Sequence, residues 1–494
     1  MKELNLTYDD VLLVPRYSDI LPKNVSTKTR FTRKISLSIP LVSAAMDTVT
    51  EHELAIKMAL YGGIGVIHKN LTPDAQAEEV RMVKRFENGF IKDPICAKPD
   101  DTIEAIYAIR EKYGYKAVPV TDTGKPRGRL VGLITANDYF FHKHRRNKVK
   151  DRMTHAKQLL VAEEGITLSQ ANDILEESKH SKLLIVNNKK DFHLRALVTR
   201  RDIEKNKLYP DSCKDAEKRL QVAAAVGPAK NMEERVEKLI QAEADVLVVD
   251  TAHGHSQGVI DTIKYIKKRY PKIEVVGGNI ATAEAARDLI RAGADAVKVG
   301  IGPGSICITR IVAGVGVPQL SAVLEVAREA KRHNVPIIAD GGIKYSGDVA
   351  KAIAAGAETV MIGSLFAGTK ESPGELIYHE GKTFKAYRGM GSIGAMNQGG
   401  KERYGQYDVL EVTKFVPEGI EGQTVYKGEV ASEIYQLVGG LRSSMGYLGS
   451  KDIPTFQKKA KFVRISLASL RESHPHDVEI VKDAPNYRTM ETDE

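Results

Sequence analysis

Eight short apolar runs punctuate this chain, most of them closing on Gly, Asp or Ser: 40–43, 63–68, 222–227, 246–250, 273–279, 296–300, 335–340 and 359–364. Helix-like stretches such as 283–292 and 347–355 lie between them. Strands that are apolar almost throughout must be buried on both faces, which a parallel sheet covered by helices provides. Ala-Gly-Ala-Asp at 292–295 and Ala-Gly-Ala-Glu at 355–358 read as one helix-stop-to-strand junction with glycine as the cap. Eight strand–helix units predict an α/β fold, a (β/α)8 TIM barrel.

The units are unevenly spaced. About 150 residues separate the second run from the third, far more than a loop needs. An inserted α+β domain over 93–209 is expected, dividing the barrel into 1–92 and 210–494. The insert repeats itself: Val131-Gly-Leu-Ile-Thr135-Ala-Asn-Asp138 matches Arg195-Ala-Leu-Val-Thr199-Arg-Arg-Asp202 at an offset of 64. Each copy reads as helix, strand, strand, helix. Each Thr-x-x-Asp places a hydroxyl and a carboxylate where a ribose could sit, although a duplicated structural module explains the pattern equally well. After the eighth strand a Gly-rich stretch, 387–400, and polar sequence to about Gly428 read as an active-site lid. The polar tail from Ser473 is expected to reach across a surface or a neighbour.

Composition narrows the class. At 494 residues, with 42% hydrophobic and 28% charged residues, the chain is an ordinary globular one rather than a disordered one. It contains no run of 18 apolar residues and no signal-peptide core at its start, so neither a membrane span nor secretion is expected. Three cysteines, Cys96, Cys213 and Cys307, form no disulfide framework and fit a cytoplasmic protein. The net charge of +9 admits phosphorylated ligands. The densest basic cluster, 142–148, lacks interleaved aromatics and reads as a solvated loop, so nucleic-acid binding is not expected.

Barrel active sites sit at the C-terminal strand ends. There the sixth run leads into Gly300-Ile-Gly302-Pro-Gly304-Ser305-Ile-Cys307-Ile-Thr309-Arg310. Three glycines let backbone approach a ligand or ion, and a cysteine on such a loop is a candidate nucleophile. A dinucleotide fingerprint fails because Ser305 stands where its third glycine belongs. Asp340-Gly341-Gly342 and Gly363-Ser364 end the next two strands, where loops commonly hold a phosphate. Asp340 and Asp250 are candidate acceptors for ribose diols, which fits two nucleotide-like ligands.

Gly304-Ser-Ile-Cys307-Ile-Thr309-Arg310, Tyr387-Arg-Gly-Met-Gly-Ser392, Gly439-Gly-Leu-Arg-Ser-Ser-Met-Gly446 and the duplicated insert together resemble the inosine-5′-monophosphate (IMP) dehydrogenase and GMP reductase family over nearly the whole chain. The insert resembles that family's tandem CBS repeats, or Bateman module. The resemblance implies NAD-dependent oxidation of IMP to xanthosine monophosphate in guanine nucleotide synthesis. Cys307 is then the nucleophile and Thr309 a water-positioning residue. Arg403 and Tyr404 on a mobile flap form the base, and Glu418 contacts the purine and relays protons. Ser43, Ser305, Asp340, Gly342, Gly363, Ser364, Tyr387, Gly389, Met390 and Gly391 match substrate contacts. Asp250, Asn279, Gly300 and Gly302 match cofactor contacts. Carbonyls of Gly302, Gly304 and Cys307 match a potassium site completed by Glu472, Ser473 and His474 of a neighbouring subunit. The family forms homotetramers, which its repeat modules can pair into octamers and which bind ATP or GTP. Lys298 stands where some members carry arginine and is not counted among the site residues. The rival reading is NADPH-dependent reduction of GMP. Arg403-Tyr404 and the 387–392 loop look like the dehydrogenase.

Overall fold

The computed structural model describes residues 4–86, 90–91, 94–200, 208–406, 411–482 and 484–487. Eight parallel strands close into a barrel: β1 (Leu41–Ser43), β2 (Ile64–Ile67), β3 (Ala223–Val226), β4 (Val246–Asp250), β5 (Glu274–Ile280), β6 (Ala296–Val299), β7 (Ile337–Asp340) and β8 (Thr359–Ile362). All eight expected runs are therefore barrel strands. The order runs β3 to β8 and returns through β1 and β2, so β8 pairs with β1 and β2 with β3.

Alternation decides what fills the barrel. Val42, Ile64, Val66, Ala223, Ala225, Val246, Val248, Val276, Ala296, Ile338 and Met361 form one buried cluster inside it. Phe31, Ile35 and Leu37, from the Thr29–Arg30 and Ser36–Leu37 hairpin, join that cluster. The hairpin lies at the N-terminal strand ends, where the Arg33 N–H donates to the carbonyl of Asp295 just before β6. That end is plugged, which leaves the C-terminal end for chemistry. The expected glycine junctions are present: Gly293 and Gly356 follow helices Ala283–Arg291 and Ser346–Ala354 with φ of +109° and +112°. A side chain at 356 would also meet Ala327 Cβ at 2.7 Å.

The chain divides into two compact units, the second comprising Arg85–Pro210 and Lys214–Arg219. This unit begins at Arg85, before the expected boundary at 93. Its two copies each carry a helix and a hairpin: Ile103–Tyr113, Ala117–Thr121 and Leu130–Thr135, then Leu168–Glu177, Lys182–Val186 and Leu194–Thr199. Asp138 Oδ2 accepts the Thr135 N–H at 2.6 Å, so in the first copy the carboxylate closes its own turn. Asp202 lies outside the described residues. Among the described residues, no helix is long and apolar enough to cross a membrane.

Both junctions are held by the barrel. Lys84 Nζ donates to the Leu220 carbonyl and to Asp245, and the Cys213 N–H donates to the Ala59 carbonyl. The eight strands close without any residue of the second unit. Replacing residues 87–209 with a short Gly/Ser linker is therefore expected to leave a folded, active barrel. A folded but inactive deletion variant would show that the second unit contributes to the site.

Candidate active site

Period-two alternation carries the barrel interior up to a polar top layer. Asp250 stands above Val246 and Val248 on β4, Lys298 above Ala296 on β6, and Asp340 above Ile338 on β7. A register shift between Gly278 and Ile280 breaks the alternation on β5, and Asn279 turns into the same layer. Lys298 Nζ donates to Asp250 Oδ1 at 2.9 Å, to Asp340 Oδ2 at 2.7 Å and to Asn279 Oδ1. Asn279 Nδ2 donates to Asp340 Oδ2 at 2.9 Å and to the Gly300 carbonyl at 2.8 Å. Lys298 is 1% exposed and Asp250 3%. A buried ammonium with this little water is stable only because all three of its protons have acceptors.

The Gly300 to Cys307 loop is folded by contacts only glycine permits. A Cβ at Gly300 would lie 2.1 Å from the Asp340 carbonyl oxygen, and one at Gly302 would lie 2.6 Å from the Arg310 side chain. Arg310 Nε and Nη2 donate to the carbonyls of Ile301 and Val317, cinching the two ends of the loop. Cys307 Sγ sits 3.2 Å from Thr309 Oγ1. The Cys307 N–H donates to the Gly304 carbonyl, and Cys307 forms an antiparallel bridge with Gly419. The Ile308 N–H donates to the Glu418 carbonyl, so the nucleophile's loop and residues 418–420 are held together by backbone.

The flap is folded in. Arg403 Nη1 pairs with Asp250 Oδ2, and the Arg403 carbonyl accepts the Ala252 N–H at 3.1 Å. The Tyr404 ring lies over Gly391, where a Cβ would meet it at 2.5 Å. Burial lowers the Arg403 pKa from the ordinary guanidinium value, with Tyr404 opposing, and burial raises that of Tyr404, with Arg403 opposing. Burial likewise raises Tyr387, whose hydroxyl is bonded to Ser305.

These groups converge on one cavity of about 800 Å³, counting its mouth. It is lined by Asp250, Asn279, Gly300, Gly302, Gly304, Cys307, Thr309, Asp340, Tyr387, Gly389, Met390, Arg403, Tyr404 and Glu418. Other expected residues stand elsewhere. Ser43 is fully buried, and its hydroxyl is bonded to Thr50 at 2.9 Å. Gly342 rests against the Tyr8 ring, and Gly363 and Ser364 open the short helix Ser364–Ala367. Gly391 lies beneath Tyr404. Glu472, Ser473 and His474 do not line the cavity of their own chain; His474 packs on Tyr345 and Tyr487.

The omission of Lys298 needs correcting, because it lines the cavity and bonds two of the expected acids. The signal was available: a lysine inside the apolar run Ala296-Val-Lys-Val299 must find buried partners. Met46 and Ala252 also line the cavity and carry no motif that singles them out, and Gly341 of the Asp340-Gly341-Gly342 turn joins them.

Fold and site define a (β/α)8-barrel enzyme whose strand-end cavity gathers a loop-borne cysteine, a threonine and an Arg–Tyr pair. The model of the IMP dehydrogenase / GMP reductase domain matches residues 5–476, and the chain belongs to that family. It is 54% identical over 488 residues to the inosine-5′-monophosphate dehydrogenase of Chlorobaculum parvum, spanning 98% of both chains. It is 53% identical over 485 residues to that of Aquifex aeolicus, spanning 98% of this chain and 97% of the relative. Among solved structures, a cysteine-to-alanine variant of the GMP reductase of Trypanosoma brucei in complex with guanosine 5′-monophosphate superposes with a TM-score of 0.88. It is 40% identical, covering 97% of this chain and 98% of that one.

Removing Lys298 takes from Asp250 and Asp340 the buried ammonium they share, leaving Arg403 as the only cation on Asp250 among the described residues. Lys298→Met is expected to lower the unfolding free energy by about 3–5 kcal/mol, the cost of breaking a buried pair. Denaturant unfolding at neutral pH measures it; a loss below about 1 kcal/mol, the range of an exposed pair, would contradict this account of the top layer.

Proposed function

We propose that the chain oxidises IMP to xanthosine 5′-monophosphate by covalent catalysis, on the pathway to guanine nucleotides. The observation that carries this reading is Cys307, 3.2 Å from Thr309, in one cavity with Arg403 and Tyr404. Relatives 52–54% identical over 98% of the chain and named as IMP dehydrogenases support it.

The Cys307 thiolate forms a bond to C2 of the purine. The C2 hydrogen leaves with its electron pair, and the oxidised nicotinamide of NAD, when bound, supplies the acceptor. Water then bonds to C2, its proton passes to the Arg403–Tyr404 pair, and the C–S bond breaks with its electrons returning to sulfur. Splitting the reaction this way replaces one hard displacement with two easier steps. At its ordinary pKa arginine is already protonated near neutral pH and cannot accept a proton, and burial of Arg403 lowers its pKa in the useful direction.

Asp250 orders the two halves. Its Oδ1 is held by Lys298 and its Oδ2 by Arg403, so both oxygens are occupied while the flap is in. A cofactor ribose would compete with Arg403 for Asp250. Asn279, Gly300 and Gly302 complete the cofactor side. Asp340, Tyr387, Gly389, Met390 and Glu418 face the nucleotide, with Gly342, Gly363, Ser364 and the backbones near Ser43, Ser305 and Gly391 on the phosphate and ribose side.

A potassium ion would be held by the carbonyls of Gly302, Gly304 and Cys307 with Glu472, Ser473 and His474 of a neighbouring subunit. The fit is reasonable: among the described residues, no hydrogen bond is made to the Gly302 or Cys307 carbonyls. Sharing that ion between chains implies an oligomer, which the family resemblance makes a homotetramer. The 93–209 insert is read as a tandem CBS module that takes ATP or GTP and biases assembly, pairing tetramers into octamers. A cytoplasmic location fits the substrate.

Reduction of GMP is the second reading, favoured by the Trypanosoma brucei superposition. A reductase has no hydrolysis step for Arg403 and Tyr404 to serve. Absorbance at the NADH band with IMP and NAD, with and without potassium, separates the two. Cys307→Ala is expected to make no NADH while still binding IMP. Arg403→Ala is expected to give one burst of NADH per site followed by a turnover at least about a hundredfold slower, because only the second half needs the base. Equal losses in burst and turnover would remove the flap from hydrolysis.

A further inference from the structure

Behind the cavity, Asp47 joins three segments that the chemistry uses separately. It follows Met46, which lines the cavity, in the loop after β1. Its side chain is 7% exposed. Its carboxylate accepts Arg388 Nη2 at 2.7 Å and Arg388 Nε at 3.2 Å. It also accepts Asn70 Nδ2 at 2.7 Å, from the loop after β2. Arg388 lies between the cavity-lining Tyr387 and Gly389, and its N–H donates to Thr48 Oγ1. The same guanidinium reaches forward through Nη2 to Gln398 Oε1 at 2.5 Å.

Gln398 caps the helix Ile393–Asn397, which runs directly into the Gly400–Tyr404 turn bearing Arg403 and Tyr404. Asn70 touches the same base, with Nδ2 3.4 Å from the Ala395 carbonyl. Because Nδ2 must face the carboxylate, Asn70 Oδ1 faces Gly399, where a Cβ would lie 2.8 Å away. Among the described residues, that buried oxygen has no hydrogen-bond partner. The folded-in flap thus leaves one buried acceptor unsatisfied at its base, a cost relieved when the base moves.

A plain staple between two loops would need only the Arg388–Asp47 fork. Here the fork extends on both sides to the segment whose position decides whether Arg403 reaches Asp250. We propose that Asp47, Arg388 and Asn70 are the pivot of the flap. They are positioning residues that set how often Arg403 and Tyr404 return to the cavity, and so they govern the hydrolytic half-reaction more than hydride transfer. This rests on the division of labour proposed above.

The test is rapid mixing of the full-length enzyme with IMP and NAD, reading the NADH burst and the steady rate in the same trace. Asp47→Ala and Arg388→Gln are expected to keep a burst rate constant within about threefold of the parent, while steady turnover falls roughly tenfold or more. Arg388→Lys keeps the charge without the fork and is expected to recover part of the steady rate. Asn70→Ala, which leaves the ion pair intact, should change the same ratio and serves if either charge variant does not fold. Burst and turnover falling by one factor, or neither changing, would overturn the pivot. Arg403→Ala run alongside distinguishes the failures: if it too loses burst and turnover equally, the proposed role of the flap has failed, not the pivot beneath it.

Discussion

One buried ammonium organises the working end of this barrel. Lys298 holds Asp250, Asn279 and Asp340, which come from three other strands, and each of those has a second task. Asp250 receives the flap arginine, Asn279 fixes the Gly300 carbonyl, and the Asp340 backbone packs on Gly300. Without the cation, Asp250 keeps Arg403 and Asp340 keeps Asn279, but the two acids lose the ammonium they share. With it, the strand ends β4 to β7 are locked into the spacing on which the nucleophile's loop is built.

From that lock the chemistry follows in sequence. Gly300 and Gly302 let the loop turn tightly, Arg310 cinches it, and Cys307 emerges beside Thr309 with backbone ties to residues 418–420. Lys298 holds one Asp250 oxygen and Arg403 the other, so under the proposed function cofactor and flap compete for the same carboxylate. A single cavity can then host an oxidation and a hydrolysis that require different neighbours.

Much of this is legible in the sequence. The barrel strands announce themselves because runs buried on both faces must be apolar, and the glycines after helices 283–291 and 346–354 mark the junctions. Cys307, Thr309, Arg403 and Tyr404 can be placed by motif, and the structure brings them to one cavity. Lys298 is passed over because its meaning lies in partners 42 and 48 residues away. Ser43 is expected at the substrate, but alternation sends Val42 inward and turns Ser43 to Thr50. The second unit begins at Arg85, where the helix Pro73–Arg85 ends, ahead of the expected 93. Asp47 and Asn70 have no local signal, and Arg388 stands in a motif without its partners being visible: an ordinary ion pair becomes informative only when its third partner is seen at the base of the flap.

The central claim is that Cys307 carries the substrate through the reaction. The most direct measurement is intact-protein and peptide mass spectrometry of enzyme quenched in acid during steady turnover of IMP and NAD. The account predicts a purine nucleotide on the Cys307 peptide and on neither Cys96 nor Cys213, accumulating in proportion to the slowness of hydrolysis. NADH produced at full rate with no adduct on Cys307 at any quench time, in the parent and in Arg403→Ala alike, would contradict it.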